Sequence, residues 1–302
     1  MAQPPDEAVR HYLAMVAIAA SIATTARRIW GELEPARLDQ SWASKRIGQR
    51  IAVTVGAGQM LAAQQADSYL DGVLAAQGID IDRAASVQAR SFAGVASDGR
   101  SLGTLFYEPV IATKTAIEAK AGTDAALARG EHALLRAVST QLADAGRTAV
   151  GVGMVARPAV TRWARMLNPP SCSRCAVLAG RTYRWNAGFD RHPLCDCIAI
   201  PSTDQLAPDL TTDPASYFDS LDGAAQDRYF SAAGAQAIRD GANIPQVVNA
   251  SRATAGLSKA NGRTATSHQP SSTARLMPET IIEDAADRAD AIALLRSNGY
   301  LV

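Results

Sequence analysis

The sequence predicts a mainly α-helical protein with a long helical N-terminal part, a small α/β module near its middle and a helical C-terminal tail. Three observations support this fold class. Alanine is abundant whereas aromatic residues make up only 5% of the chain, a balance that favours helices packed through small side chains over a β-sandwich. Apolar residues recur at helical spacing through residues 8–165 and again after residue 213. All four cysteines lie between these two stretches.

Length and composition are those of an ordinary folded protein. The 302 residues suffice for one large domain or two smaller ones, and 47% apolar with 20% charged residues is typical of a globular chain. The net charge of +1 excludes a polycation that coats nucleic acid along its whole length, but not a local basic patch. The most apolar stretch, residues 12–26, is too short to span a bilayer and lacks the basic start of a signal peptide. We expect it to form a buried helix, and we expect no membrane segment.

The N-terminal region, residues 1–156, is predicted to be a succession of helices. The second of them covers 41–74, and a kink or a division into two helices is possible within it. A short helix and a loop follow over 79–102, and then come helices over 109–120 and 123–142. Glycines weaken the helical pattern inside the second helix and beyond the last one: Gly56, Gly58, Gly146, Gly151 and Gly153.

The rest of the chain divides at changes in composition. Residues 157–250 form the predicted module, which opens with a helix over 157–167 that two prolines end. Asp213 and Pro214 are typical of an N-cap and a first helical turn, and further helices are expected over 224–233 and 235–240. Residues 251–277 are rich in Ser, Thr, Ala and Gly and predict a flexible linker. A C-terminal helix is expected in 278–302.

The module contains a zinc-knuckle-like group of ligands. Cys172 and Cys175 are separated by two residues, which lets both thiolates face one ion, and His192, Cys195 and Cys197 follow. Zinc takes about four N or S ligands in a tetrahedron, so five donors compete for about four places. A structural zinc held by four of these five is the first interpretation. Redox-labile disulfides, packed thiols without a ligand and a catalytic zinc remain as alternatives.

The residues around the cysteines add two further predictions. Glycines and aromatic residues over 180–189 predict a small hairpin that closes the loop between the two ligand groups. Residues 157–191 carry seven arginines and one acidic residue, so they could bind an acidic partner or DNA, or be solvated and pair with nearby aspartates. The candidate partner- or DNA-binding residues are Arg157, Arg162, Arg165, Arg174, Arg181, Arg184 and Arg191.

The sequence does not indicate an enzyme. His11 and His132 lie on predicted helices, and His268 lies in the predicted linker, where nothing rigid could position it. Only His192 lies in a constrained setting, and a thiol nucleophile paired with it is less consistent with four clustered cysteines than metal binding. The nucleophile-elbow pattern Gly-x-Ser-x-Gly is absent. We expect a protein that acts by binding.

The stretch CSRCAVLAGRTYRW…FDRHPLCDCIAIP resembles the phage Mu F-like head morphogenesis domain of tailed-phage minor capsid proteins. The matching positions are Cys172, Cys175, Leu178, Gly180, His192, Pro193, Cys195, Cys197 and Pro201. Asp196 stands where the family usually has a basic residue. Residues 229–250 and 291–302 resemble versions of these proteins from phages of actinobacteria.

This resemblance implies a virion protein inside the phage head, present in the host cytoplasm during assembly. Its implied partners are the portal protein, the major capsid or scaffold protein and packaged double-stranded DNA. The implied function is head assembly and DNA packaging or delivery. Two alternatives are a capsid maturation protease and an internal head protein that binds DNA without sequence specificity.

Overall fold

The computed structural model describes residues 4–195, 197–205, 210–250, 264–265 and 275–302. The described residues are mainly helical with one small three-stranded sheet, which confirms the predicted fold class. The chain forms two units. The helical unit comprises Leu13–Asp67, Ala85–Ala156 and Ala260–Val302, and the cysteine unit comprises Met1–Tyr12, Ser68–Ala84 and Arg157–Lys259. The domain boundaries expected after residues 156, 250 and 277 stay predictions.

Thirteen α-helices and five strands follow one another along the described residues. In chain order they are α1 (Asp6–Trp30), α2 (Leu38–Ser44), α3 (Ile47–Ala76), α4 (Leu102–Leu105), α5 (Glu108–Glu118), α6 (Thr123–Val155), β1 (Arg162–Met166), α7 (Ser173–Ala179), β2 (Thr182–Arg184), β3 (Ile198–Ser202), α8 (Pro214–Asp219), α9 (Gly223–Phe230), α10 (Ala232–Arg239), α11 (Ile244–Ala250), β4 (Thr264–Ala265), β5 (Arg275–Leu276), α12 (Pro278–Asp284) and α13 (Arg288–Ser297). Short 3-10 turns cover Pro35–Arg37 and Ala89–Phe92.

In the helical unit, two glycines that were expected to weaken helices instead let helices pack closely. A Cβ atom on Gly58 would lie 2.6 Å from Leu142 Cδ2 and 2.7 Å from Ile22 Cγ1. A Cβ atom on Gly146 would lie 2.5 Å from Met15 Cε. The predicted weakening is wrong, because α3 and α6 run through these glycines without interruption and tertiary packing compensates for the low helix propensity.

The first helix differs from its prediction. Only 11% of the most apolar window of α1 is buried, and Leu13 and Val16 are 57% and 44% exposed, so the expectation of a buried helix is wrong. By length and composition alone α1 could cross a membrane, a criterion that core helices of soluble proteins and signal sequences also meet. The expected lack of a membrane segment therefore stays a prediction.

Other helix boundaries also differ between the prediction and the structure. The helix expected over 41–74 is divided into α2 and α3 not at its glycines but at Arg46, whose φ of 51° is left-handed. The segment 79–102 contains only the 3-10 turn Ala89–Phe92 instead of a short α-helix. Backbone hydrogen bonds between Ser86 and Val302, 2.9 and 3.0 Å long, hold this segment against the C-terminal residues.

The C-terminal tail is helical as predicted but contains two helices, α12 and α13. The extended backbone of Ala285 ends the first, and Asp287 caps the second by accepting the N–H of Asp290 at 2.9 Å. The side chain of Arg288 donates to the carbonyl oxygens of Met154 and Val155. These carbonyls lie at the C-terminus of α6, so the arginine satisfies acceptors that the helix itself leaves unpaired.

The cysteine unit contains an antiparallel sheet in the order β2-β1-β3. In its centre Trp163 lies opposite Tyr183 on β2 and Pro201 on β3. The helix predicted over 157–167 is wrong, because β1 occupies these residues and is buried on both faces, and such a strand shows no alternation in sequence. The hairpin predicted within 180–189 is also wrong, since β2 pairs with β1 instead.

The last turns of α3 anchor this sheet. The Tyr69 hydroxyl donates to the carbonyl oxygen of Ala199 at 2.7 Å, and the Gln77 side-chain amide donates to that of Pro201 at 2.8 Å. Both acceptors lie on β3. These contacts fix the strand that immediately follows the last cysteine.

The helices after the sheet start and end largely where the sequence predicts. Asp213 accepts the N–H of Ser216 at 2.8 Å and caps α8, and Gly241, with φ of 96°, follows α10. Most of the predicted linker, 251–277, lies outside the described residues. Its described part includes β4 and β5, which pair antiparallel.

Candidate metal centre

The first two cysteines of the cluster are positioned by the start of α7. Cys172 is the N-cap residue, and its Sγ accepts the backbone N–H of Cys175 at 3.5 Å. The preceding residue is anchored to α8, because the Tyr217 hydroxyl donates to the Ser171 carbonyl oxygen at 2.8 Å. Both sulfurs are thereby held on one side of the turn, as the CxxC spacing predicts.

Gly180 ends α7 and explains a second feature of the motif. A Cβ atom at this position would lie 2.8 Å from Pro214 Cδ and 3.3 Å from the Thr212 carbonyl oxygen. Any larger residue would push the start of α8 away from α7. The glycine therefore keeps the two helices that flank the cysteines in contact.

The second group of ligands lies on a tight turn. The Cys195 N–H donates to the His192 carbonyl oxygen at 3.0 Å, and Leu194 within the turn has a left-handed φ of 64°. His192 Nδ1 lies 2.8 Å from the Pro193 carbonyl oxygen. Since a carbonyl oxygen only accepts, Nδ1 carries a proton and Nε2 is directed at the sulfurs, which is how metal-binding histidines are commonly oriented.

The five donors form two overlapping groups that share Cys175. Cys172, Cys175 and His192 make one group, and Cys175, Cys195 and Cys197 make the other, with ligand atoms within 4.8 Å of one another in each. His192 Nε2 lies 3.1 Å from Cys172 Sγ and 3.5 Å from Cys175 Sγ, and the Cys175 and Cys195 sulfurs lie 3.8 Å apart. A tetrahedral zinc site has edges of about 3.8 Å between sulfurs and about 3.6 Å between sulfur and nitrogen. The arrangement can therefore hold one metal ion.

The thiols and the imidazole of the cluster share protons through hydrogen bonds, and a cation can replace these protons. The pKa of the Cys172 thiol falls to about 4, mainly because its sulfur accepts a hydrogen bond from Cys175 and then one from His192. The pKa of Cys175 rises, first through its hydrogen bond to Cys172 and then through those to the other cysteines. The pKa of His192 rises to about 9, chiefly through its contact with the Cys172 sulfur. Divalent metal ions bind such sites by displacing these protons.

The alternatives to a structural zinc were disulfides, packed thiols without a ligand and a catalytic zinc. All four cysteines are free thiols in the structure, so it contains no disulfide between them. Within the described residues, the groups that could hold a metal consist of cysteine and histidine alone, without a carboxylate. His11 is buried against Tyr69, His132 is exposed on α6, and His268 lies outside the described residues. That the protein is not an enzyme stays a prediction.

The seven arginines do not form one surface. Arg157, Arg165 and Arg191 are buried, so they are less accessible than the other four, and their role in partner or DNA binding stays a prediction. Arg157 pairs at 2.6 Å with Asp71, which lies 86 residues earlier in the chain. Arg165 and Arg191 donate to the backbone carbonyl oxygens of Asp190 and Phe189. The four others lie nearer the surface, where their role stays a prediction: Arg162, which pairs with Asp204, half-buried Arg174, and exposed Arg181 and Arg184.

A stack of aromatic rings beside the cysteines was not predicted from the sequence. Trp163 stacks on Tyr183 with ring centroids 4.3 Å apart and on Phe189 at 5.2 Å. The guanidinium carbon of Arg165 lies 3.9 Å from the centroid of the Phe189 ring. A signal was present, since Arg165 is flanked by apolar residues on a segment that also carries the tryptophan.

Comparison with known proteins places the chain in a family. No curated protein and no solved structure matches it. Residues 4–224 match the family described as VG15 protein, which is a family of viral proteins from phages and points to association with the virion. Because this match covers well over half of the chain, including both cysteine pairs, the protein belongs to the VG15 protein family of phages.

Proposed function

We propose that this chain is a minor capsid protein of a tailed phage, bound to the portal inside the head and acting by binding in head assembly and DNA packaging or delivery. The observation that carries this proposal is the Cys/His cluster. Its spacing resembles that of the head morphogenesis motif, and its ligand atoms lie close together in two groups that share Cys175. Membership of a phage family supports the same proposal.

The cluster's proposed role is a structural zinc site. Thiolate and imidazole ligands favour zinc, and the ion would join the start of α7 to the turn that begins at His192. When bound, zinc supplies cross-linking of two segments that are far apart in sequence. The side chains around it form a small core, with Tyr217, Phe218 and Phe230 buried near the cysteines. A cross-link stabilises a core of this size more than it would a large one.

The surface proposed to contact the portal or DNA is reduced to the outer arginines of the cysteine unit. Arg181 immediately precedes the strand β2, Arg184 is its last residue, and Arg162 on β1 lies directly opposite Arg184. Guanidinium groups in this arrangement suit carboxylates on a portal or phosphates on DNA. Either partner would bind more weakly as the salt concentration rises.

Co-expression with the portal and the major capsid protein tests the proposal. The chain should co-purify with the portal and remain in assembled heads. The double variant Arg181→Glu/Arg184→Glu should lose this association, whereas the matched charge reversal Arg136→Glu, at an exposed position on α6, should keep it. Absence of the wild-type chain from both portal and heads would refute the proposal. Scaffold cleavage that stops in His192→Ala would instead support the protease alternative.

A further inference from the structure

A buried positive charge lies beside the cysteine cluster. Arg165 is on β1 and is only 1% exposed. Moving a guanidinium out of water costs several kcal/mol unless an opposite charge or a full set of acceptors compensates it. The partners of Arg165 therefore indicate what balances its charge.

The guanidinium lies among four groups, one of which is the Tyr183 hydroxyl, within hydrogen-bonding reach of it. Nη1 donates to Cys195 Sγ at 3.8 Å, and Nη2 donates to the Asp190 carbonyl oxygen at 2.5 Å. The Phe189 ring covers its face at 3.9 Å, and Nε has no hydrogen-bond partner among the described residues. A carbonyl and a ring are neutral, and so is the Tyr183 phenol, whose pKa burial raises. Among these partners the sulfur is therefore the group that carries a negative charge when it ionises.

Charge counting relates this arginine to the composition of the metal site. A divalent cation with three thiolates and a neutral imidazole carries a net charge of −1, and with four thiolates it carries −2. Either set is therefore anionic and needs a buried positive charge beside it, and Arg165 supplies one. The sulfur that Arg165 contacts also lies 3.8 Å from the Cys175 sulfur, a tetrahedral edge distance.

We infer that Arg165 is a buried counter-charge of the proposed metal site and supports Cys195 as one of its thiolate ligands. This inference rests on the proposed metal site. Arg165 acts on the ion through the Cys195 sulfur, where it stabilises the thiolate and fixes its position. An arginine predicted to bind a partner thus becomes part of the proposed metal centre.

Metal competition on the purified full-length chain tests the role of Arg165. Zinc affinity is measured against a chelator of known affinity for wild type, Arg165→Gln and Arg165→Lys. Loss of a group that supports a metal ligand typically lowers affinity about 10–100-fold, and we expect this for the glutamine variant. The lysine variant keeps the charge and should recover most of the loss, which a purely structural role for the planar guanidinium would not allow.

Two control variants make this result specific. Arg184→Gln removes an exposed arginine on β2 and should leave zinc affinity unchanged. Asp196→Asn removes the carboxylate between the last two cysteines, a residue outside the described part. If Asp196→Asn lowers affinity and Arg165→Gln does not, the charge assignment is overturned. Circular dichroism of each variant shows that it is folded before its affinity is compared.

Cobalt substitution tests the ligand assignment. Thiolate-to-cobalt absorption should lose intensity in Cys195→Ser. Unchanged absorption in this variant would refute Cys195 as a ligand, and with it the route by which Arg165 acts on the ion. If the wild-type chain binds neither zinc nor cobalt, the metal site itself fails. If it binds both and Arg165→Gln is folded with wild-type affinity, only the inference about Arg165 fails.

Discussion

Protonation of His11 should destabilise the cysteine unit as the pH falls below neutrality. His11 is 7% exposed, and its ring stacks on Tyr69 with centroids 4.1 Å apart. Burial disfavours the imidazolium and lowers the pKa of His11 from 6.5 to about 4. Between these two pH values the unfolded chain takes up a proton that the folded unit does not.

The sign and the size of the effect follow from proton linkage. Because the unfolded state binds more protons, the free energy of unfolding decreases as the pH falls through this window, and the full stability is present above pH 6.5. Each pKa unit is worth about 1.36 kcal/mol. The complete loss, below pH 4, is therefore about 3 kcal/mol, and the loss between pH 7 and pH 5 is about 2 kcal/mol.

Urea unfolding at pH 7 and pH 5 measures this loss. His11→Phe keeps an aromatic ring on Tyr69 that cannot ionise, so its stability should fall by about 2 kcal/mol less than that of wild type over this pH range. The control His132→Gln removes an exposed histidine and should behave as wild type. Amide exchange of β1 and β3 reports the cysteine unit specifically. The same pH dependence in His11→Phe and wild type would refute the reasoning.

Three further predictions concern packing, a buried ion pair and the metal site. Gly58→Ala should lower the free energy of unfolding by about 1–3 kcal/mol, because its Cβ would overlap two side chains. Gly151→Ala, whose Cβ would meet nothing within 4 Å, should raise the free energy of unfolding by about 1 kcal/mol. Urea midpoints compare the two variants, and equal effects would contradict the packing argument. Asp71→Asn removes the carboxylate that Arg157 contacts at 2.6 Å and should cost about 3 kcal/mol in thermal unfolding, whereas no loss would show that the pair contributes little. Excess chelator should make the cysteines reactive to a thiol reagent and lower the melting temperature, and zinc should reverse both; chelator without effect would argue against a structural ion.

The donor set could be predicted from the sequence because each half of it is a local structure. Cys172 and Cys175 meet within one helical turn, and His192 and Cys195 meet within one tight turn. Such geometry depends on spacing over three or four residues. The convergence of the two halves depends on the sheet and on Tyr69, and no pattern within the segment shows it.

The strand β1 could not be predicted because its sequence resembles a helix. Val160, Trp163 and Leu167 recur at helical spacing, and burial on both faces of β1 removes the alternation that would mark a strand. The prediction that glycines weaken α3 and α6 was wrong for a similar reason. Their cost in helix propensity is visible in the sequence, whereas the close helix packing that they permit involves Ile22, Leu142 and Met15 far along the chain.

The excess of positive charge in 157–191 is larger than the positive charge that is exposed to a partner. Arg157 is neutralised by Asp71, Arg165 lies against a cluster sulfur, and Arg191 is buried, so at most four of the seven arginines face outward. Each phosphate contact contributes about −0.9 to the slope of log affinity against log salt. If the four outward arginines all contact phosphates, DNA binding through this segment gives a slope no steeper than about −3.6. Contacts from all seven, which the sequence alone allows, would give about −6.3. A steeper slope would place the remaining cations outside this segment, since buried guanidinium groups release no counterions from DNA.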